Sequence, residues 1–391
     1  MAKVEIPDLA VCVDLGGSLT KMSVATADGQ RYLLALASEV SEIPQATLSE
    51  VQSGFWGEGN PESSVWVGVK DGSSYAVGSF ARKYFKSQID LAISKTDLAV
   101  PKILGAFWVL QQKLNLDSSF YVRLGILLPA GECSEVDCQE LSDLLKPALR
   151  SFTTPTGKMS VRLFNQPVIK PEGGGVFLHY KKNAKVNLNK RRTGILGIGF
   201  RNANLLICDR GTIAQGDRHT CDLGFHALIR RCTEIVGTTV SEVDLAAAVA
   251  KAGHEVNSRI INKFLVTQRK ERRETALIEA IGKSQQMYWS QLTNWFKYVN
   301  VDSFDDLVLY GGTAEYLKQP LTEHFQERIE GLSWHSEVKV PSELLNNAIA
   351  EPEQMGLEFR FIDCWCLLEF ICSRQTGYSE YQAIAAAGAL S

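Results

Sequence analysis

The residues with the clearest chemistry lie between positions 11 and 21. An apolar run enters Asp14, glycines follow at Gly16 and Gly17, and Ser18, Thr20 and Lys21 add two hydroxyls and a cation. Glycines let backbone N–H groups approach phosphate oxygens with no Cβ in the way, a lysine neutralises charge, and an aspartate holds a hydrated metal ion. Together they make a phosphate clamp. A P-loop needs a glycine, four intervening residues and then Gly-Lys-Ser/Thr, and a dinucleotide fold needs three spaced glycines opening a helix. Neither pattern is present. Met22 and Val24 instead read as a second strand, Asp28 and Gly29 as a turn, and residues 32–36 as a third strand, so the glycines join two antiparallel strands.

The pattern returns at residues 194–211: an apolar strand, Gly197 and Gly199, the polar residues Arg201, Asn202 and Asn204, a second apolar strand, and a turn at Asp209, Arg210 and Gly211. Aligning Asp14 with Gly197 places Gly16 on Gly199, Ser18 on Arg201 and residues 22–24 on 205–207, which reads as a degenerate internal duplication. A third glycine corner, Gly311, Gly312 and Thr313, follows the strand at 307–310 and opens a helix, where a flat ligand or a phosphate can lie against backbone. Glu172 stands beside Gly173, Gly174 and Gly175, a loop suited to close backbone approach and a carboxylate able to orient water.

The rest of the chain must position these groups. Its 391 residues suffice for two domains, and a formal charge of −3 (41 Lys+Arg against 44 Asp+Glu) gives no global basic field for nucleic acid. No apolar stretch is long enough to span a membrane and no leader pattern opens the chain, which predicts a cytoplasmic protein. Nine cysteines without framework spacing read as reduced thiols. Residues 41–64 read as a loop carrying Phe55 and Trp56. Strands are expected at 65–69 and 75–77, a helix amphipathic along one face at 101–114, a buried central strand at 121–128, a helix at 138–149, and strands at 160–164 and 168–169. A basic stretch, 181–192, reads as a solvated connection at a domain boundary, because no aromatics interleave its charges. Helices are expected from 224 to 299, with Leu277, Ile281, Tyr288, Leu292, Trp295, Phe296 and Val299 as one core stripe. His219, Cys221, Asp222, His226 and Cys232 match no paired zinc spacing, Cys364 and Cys366 form no redox motif, and no nucleophile elbow appears.

Three glycine corners at 14–21, 197–204 and 311–314, two on repeated hairpins, resemble the actin, hexokinase and heat-shock chaperone ATPase superfamily. The resemblance is sharpest to the ParM-type plasmid-segregation actins and their archaeal relatives. It also rests on Tyr75 to Gly78, Leu128 to Glu132, Pro171 with Glu172, and Leu309 to Ala314, which occur in the order that branch uses and span most of the chain. It implies an α/β actin-like fold of two duplicated domains around a nucleotide cleft, with domain I at 1–182 plus about 365–391 and domain II at 183–364.

It further implies that Asp14 holds the hydration shell of Mg²⁺, that Gly16, Gly17, Ser18, Thr20 and Lys21 cradle phosphates of ATP or GTP, and that Gly199, Arg201 and Asn202 close over them. Gly311, Gly312 and Thr313 would receive the nucleoside, and Glu172 would position the attacking water. One departure stands out: the second hairpin of that branch begins with an Asp where this chain has Gly197, and Asn204 replaces another. Arg201 can pair with phosphate directly, so the metal dependence is expected to change.

The implied function is a filament-forming ATPase, hydrolysing slowly, that partners itself and a DNA-bound adaptor in plasmid segregation, without sequence-specific DNA binding of its own or a membrane. A metabolite kinase of the same superfamily and a nucleotide-binding scaffold without turnover are the alternatives.

Overall fold

The computed structural model describes residues 7–53, 59–87, 93–213, 216, 218–236, 241–267, 274–335, 338–350 and 357–373. The chain divides into two compact units: residues 1–183 with 338–354 and 361–391, and residues 184–337 with 355–360.

In the first unit, β1 (Leu9–Leu15), β2 (Leu19–Thr26) and β3 (Arg31–Ala37) form an antiparallel meander. The long β4 (Ser119–Leu128) lies parallel to β1. Strand Gly157–Leu163 pairs with the N-terminal half of β4, and β5 (Val168–Pro171) pairs with its C-terminal half. The second unit repeats the arrangement with β6 (Arg192–Ile198), β7 (Ala203–Asp209), β8 (Arg218–Cys221), β9 (Asp306–Tyr310) and β10 (Gly331–Trp334), in the order β8-β7-β6-β9-β10.

The repeat is exact in register across its three central strands. Asp14 faces Lys21 and lies beside Leu127, while Gly197 faces Asn204 and lies beside Tyr310. Adding 183 to each position of the first set gives the second. The third strands break the rule by two residues, since Thr20 faces Leu36 but Ala203 faces Cys221. The hairpins and the alignment expected from the two motifs are thus the frame of both sheets.

Helices cover the sheets. α1 (Ala99–Lys113) is buried at every residue from Pro101 to Leu110, so the single apolar face expected there is corrected: the helix is enclosed on all sides. At Gly105 a Cβ would lie 2.7 Å from Val65 Cγ1, which shows how closely the neighbours approach. α2 (Gly174–Asn183) begins within the glycine run read as a loop. α3 (Phe225–Val236) and the long α4 (Glu274–Tyr298) pack in the second unit, where Leu277, Ile281, Tyr288, Leu292 and Phe296 form the expected buried stripe. α5 (Gly312–Tyr316) follows the third glycine corner. α6 (Ile362–Ser373) returns to the first unit and packs on β1 and α2, covering Ala10, Cys12, Ala25 and Leu127.

The loop expected over 41–64 is also corrected. It contains the strand Val40–Glu42, the helix Gln45–Gln52 and a 3-10 turn at Pro61–Ser63, because Ile43 and Val51 pack against Trp66 and Phe80; Phe55 and Trp56 lie outside the described residues. The basic stretch is anchored in part by its arginines. Arg191 donates to both carboxylate oxygens of Asp306 (2.7 and 2.9 Å), and Arg192 donates to Ser303 at 2.7 Å. All nine cysteines are free thiols.

Helices α2 and α6 meet closely. A Cβ at Gly175 would lie 2.2 Å from Asp363 O and 2.9 Å from Leu367 N, both backbone atoms that have no room to yield. Gly175→Ala is therefore expected to destabilise the fold by about 1–3 kcal/mol or more, read as a lower urea midpoint; an unchanged midpoint would show that the two helices are free to separate.

Candidate functional site

In the first unit the β1–β2 connection is Gly16, Gly17 and Ser18. A Cβ at Gly16 would lie 2.6 Å from Leu19 O, so the turn itself requires glycine. Ser38 braces it by donating to Gly17 O at 2.6 Å. Asp14 and Lys21 face each other across the hairpin and pair at 2.5 Å, with side chains only 11% and 10% exposed. Strand alternation turns Thr20 to the opposite face from Lys21; its hydroxyl is buried and has no hydrogen-bond partner among the described residues. The structure therefore brings Asp14, Lys21 and the glycines together and turns Thr20 away.

Glu172 lies at the end of β5, pinned by its backbone N–H to Leu128 O at 2.6 Å. Its carboxylate accepts from the Lys95 ammonium, a buried pair. Lys95 donates its backbone N–H to Glu132 at 2.8 Å, and the Ser94 hydroxyl donates to the same oxygen at 2.8 Å. Burial pushes the Lys95 ammonium down, but the carboxylates of Glu172, Asp14 and Glu132 more than offset it, and the group is held above its ordinary value.

Asp363, on α6, accepts from the N–H groups of Gly173 (2.6 Å) and Val176 (3.0 Å). Burial pushes its carboxyl up to about 7, with Asp14 and Glu172 adding to the rise and the two N–H donors opposing it. The glycines at 173–175 thus make their close approach to α6. Neither Lys95 nor Asp363 was among the residues expected from sequence, since each acts through a partner far along the chain.

In the second unit the loop after β6 is fixed from several sides. Gly199 donates its N–H to Asn202 O at 2.9 Å and accepts at its carbonyl from Phe225 N–H (3.0 Å) and the Thr313 hydroxyl (2.8 Å). A Cβ at Gly311, which has φ +103°, would lie 2.5 Å from Ile198 O. The second and third glycine corners are therefore one joined structure containing Gly199, Arg201, Asn202, Gly311, Gly312 and Thr313. Thr313 is buried and tied to Gly199.

The space above Gly197 is taken by Tyr310: a Cβ there would lie 2.3 Å from Tyr310 Cζ and 2.4 Å from its hydroxyl oxygen. Opposite, Asn204 accepts from the Thr220 hydroxyl at 2.8 Å. Where the first hairpin carries an Asp–Lys ion pair, the second carries a tyrosine ring over glycine and a neutral amide. Cys221 and Cys232, from the rejected metal cluster, have thiols pushed by burial up to about 11 and about 12, and His226 contacts Glu242 at 2.7 Å.

Comparison with solved structures matches this architecture along nearly the whole chain. The actin-like protein Alp7A is similar over 96% of this chain and 99% of its own, with a TM-score of 0.60 at 12% identity. ParM from Clostridium botulinum, solved as a 15-stranded filament, is similar over 94% and 99% (TM-score 0.55, 14% identity). The chain has the actin-like fold. Bacillus thuringiensis ParM, solved with AMPPNP, shares this actin-like fold over 93% and 100% (TM-score 0.55, 13% identity). No family model matches the chain, and no curated protein matches it by sequence. No helix among the described residues is long and apolar enough to cross a membrane.

The chemistry of the donor set in the first unit fits a phosphate with a hydrated divalent cation: Asp14 as carboxylate, Lys21 as ammonium group, and Glu172 as a second carboxylate, its own cation Lys95 already engaged. In the second unit the donor set fits phosphate alone, through Arg201.

Two measurements check these environments. Asp363 holds its proton more tightly folded (about 7) than at its ordinary value of 3.8, so its contribution to stability is full below the lower value and is lost as pH rises toward the higher. Between about pH 5 and pH 8 the urea midpoint of the native protein should fall more than that of Asp363→Asn; equal slopes would refute the assignment. Gly197→Asp should lower the melting temperature while Tyr310 is present and lower it less in a Tyr310→Leu background. Identical losses in both backgrounds would mean that Tyr310 does not fill the space.

Proposed function

We propose that the chain is a nucleotide-binding actin-like protein that assembles with copies of itself into filaments. The observation that carries this reading is the in-register repeat of two glycine hairpins, of which the first holds the buried Asp14–Lys21 pair with Glu172 tied nearby through Lys95. Its support also comes from relatives in fold: one ParM was solved with AMPPNP and another as a filament.

In this reading Asp14 orients the water shell of Mg²⁺, and Gly16, Gly17, Ser18 and Lys21 bind the β- and γ-phosphates. Arg201 binds phosphate beside Gly199 and Asn202, and Gly311, Gly312 and Thr313 accept the nucleoside. Glu172 orients the attacking water. A bound Mg²⁺ would supply charge neutralisation at the phosphate oxygens, while the protein's own contribution is positioning and electrostatics. The two compact units correspond to the two actin-like domains. The finer assignment is a cytoplasmic ATPase that moves plasmid DNA through a DNA-bound adaptor, in keeping with a net charge of −3, which favours an adaptor over direct DNA contact.

A second reading, a scaffold that binds nucleotide without turnover, is favoured by Tyr310 standing where the second hairpin's carboxylate would be. The two readings separate on phosphate release.

Electron microscopy of the purified protein with ATP and Mg²⁺ is expected to show filaments, and soluble monomers at high concentration under several salts would refute assembly. Asp14→Ala is expected to weaken binding of ATP with Mg²⁺ by about tenfold or more, since it removes the carboxylate proposed to hold the hydrated metal. Unchanged affinity in a fluorescent-nucleotide titration would sink the clamp.

A further inference from the structure

We infer that Lys95 is a positioning residue for Glu172, holding the carboxylate in the one orientation from which it can order a water. The inference rests on the water-orienting role given to Glu172 above. It goes beyond that role by identifying what aims the carboxylate.

Lys95 sits in the turn before α1, in a stretch that no motif marks. Its ammonium pairs with Glu172 Oε1, and the two side chains are 6% and 13% exposed. Both partners are anchored to one strand end. Glu172 hangs by its N–H from Leu128 O, the last residue of β4, and Lys95 hangs by its N–H from Glu132, four residues beyond that strand. The Ser94 hydroxyl binds the same Glu132 oxygen, so the turn carrying Lys95 is held by side chain and backbone together.

Two further carboxylates stand by the pair: Asp14 acts on the Lys95 ammonium, and Asp363 interacts with Glu172. Without Lys95, Glu172 would lose the cation that holds its carboxylate in this largely buried place, and a carboxylate so released turns outward. With Lys95 it has a fixed partner. Orienting water for in-line attack requires that fixity, because small angular errors in a positioned group lower the rate without changing how substrate binds.

The test measures ATP turnover and, separately, nucleotide affinity for the full chain and for Lys95→Met, Lys95→Arg, Glu172→Gln and the double variant Lys95→Met/Glu172→Gln. Positioning predicts that Lys95→Met lowers kcat by about tenfold or more with affinity held within about threefold, that Lys95→Arg recovers much of the loss, and that Lys95→Met costs nothing further once Glu172 is already Gln. The double variant removes both members of the pair and leaves no orphaned charge, so it stays informative even where Lys95→Met folds poorly.

Native kcat in Lys95→Met overturns the inference. So do multiplicative losses in the double variant, which would make the two residues independent. A fall in affinity matching the fall in kcat would make Lys95 a phosphate ligand instead. A native chain that binds nucleotide without turnover also overturns it, since Glu172 then has no water to serve. A native chain that binds no nucleotide sinks the proposed function itself.

Discussion

The seat of Asp363 on the N-terminus of α2 is the constraint on which the first unit depends. Its carboxylate accepts from Gly173 and Val176 N–H groups, and its backbone passes so near Gly175 that no side chain fits between. The contact orders the start of α2, and the residue before Gly173 is Glu172. The same helix α6 covers the back of β1, where the Cys364 thiol donates to Cys12 O at 2.9 Å. A buried carboxyl whose proton affinity is raised costs stability when ionised. Here two backbone donors offset part of that cost, and the helix joint, the Glu172 anchor and the sheet cover depend on the result.

The two units show how one backbone supports unlike chemistry. Strand pairing carries a single offset through β1, β2 and β4 onto β6, β7 and β9, so hydrogen-bond register has been kept while side chains have changed. At the facing positions the first unit has an ion pair and the second a glycine and an amide, and where the first has Leu127 beside them the second has Tyr310. The exchange is coupled by volume. A ring at 310 leaves no room for a side chain at 197, so the glycine and the phenol require each other. The two hairpins are therefore chemically unlike, the first carrying a carboxylate and an ammonium at its facing positions and the second neither.

The hairpins and the third glycine corner were legible in sequence because their signals are local: alternating apolar residues, turn pairs and glycines at strand ends. The α4 stripe was legible by its period. Other features were invisible for a shared reason. Lys95, Asp363 and Tyr310 are ordinary residues whose roles come from partners tens to hundreds of positions away, and no window of sequence contains both members of any pair. The short helix at 45–52 was read as loop because its few apolar residues sit among Ser, Glu and Gln, and only packing against Trp66 and Phe80 decides its state. For α1 the apolar spacing showed one face, while tertiary enclosure buried the others as well. Glycines at 173–175 read as a loop for close approach; the approach is there, at Gly175 against α6, but Gly174 and Gly175 already belong to α2.

The discontinuous first unit has a consequence for synthesis. Its sheet is paired soon after β5 emerges except for the short strand Ile349–Ala350 on β3, yet the main cover of the face lined by Ala10, Cys12, Ala25 and Leu127, helix α6, comes nearly two hundred residues later. At about 5–20 residues per second that interval is roughly 10–40 s. The second unit, nearly continuous in sequence, is translated and free to fold entirely within it. The nascent chain thus carries a finished second unit while the first still shows an apolar surface, and its exposure to aggregation on the ribosome grows with how late α6 arrives.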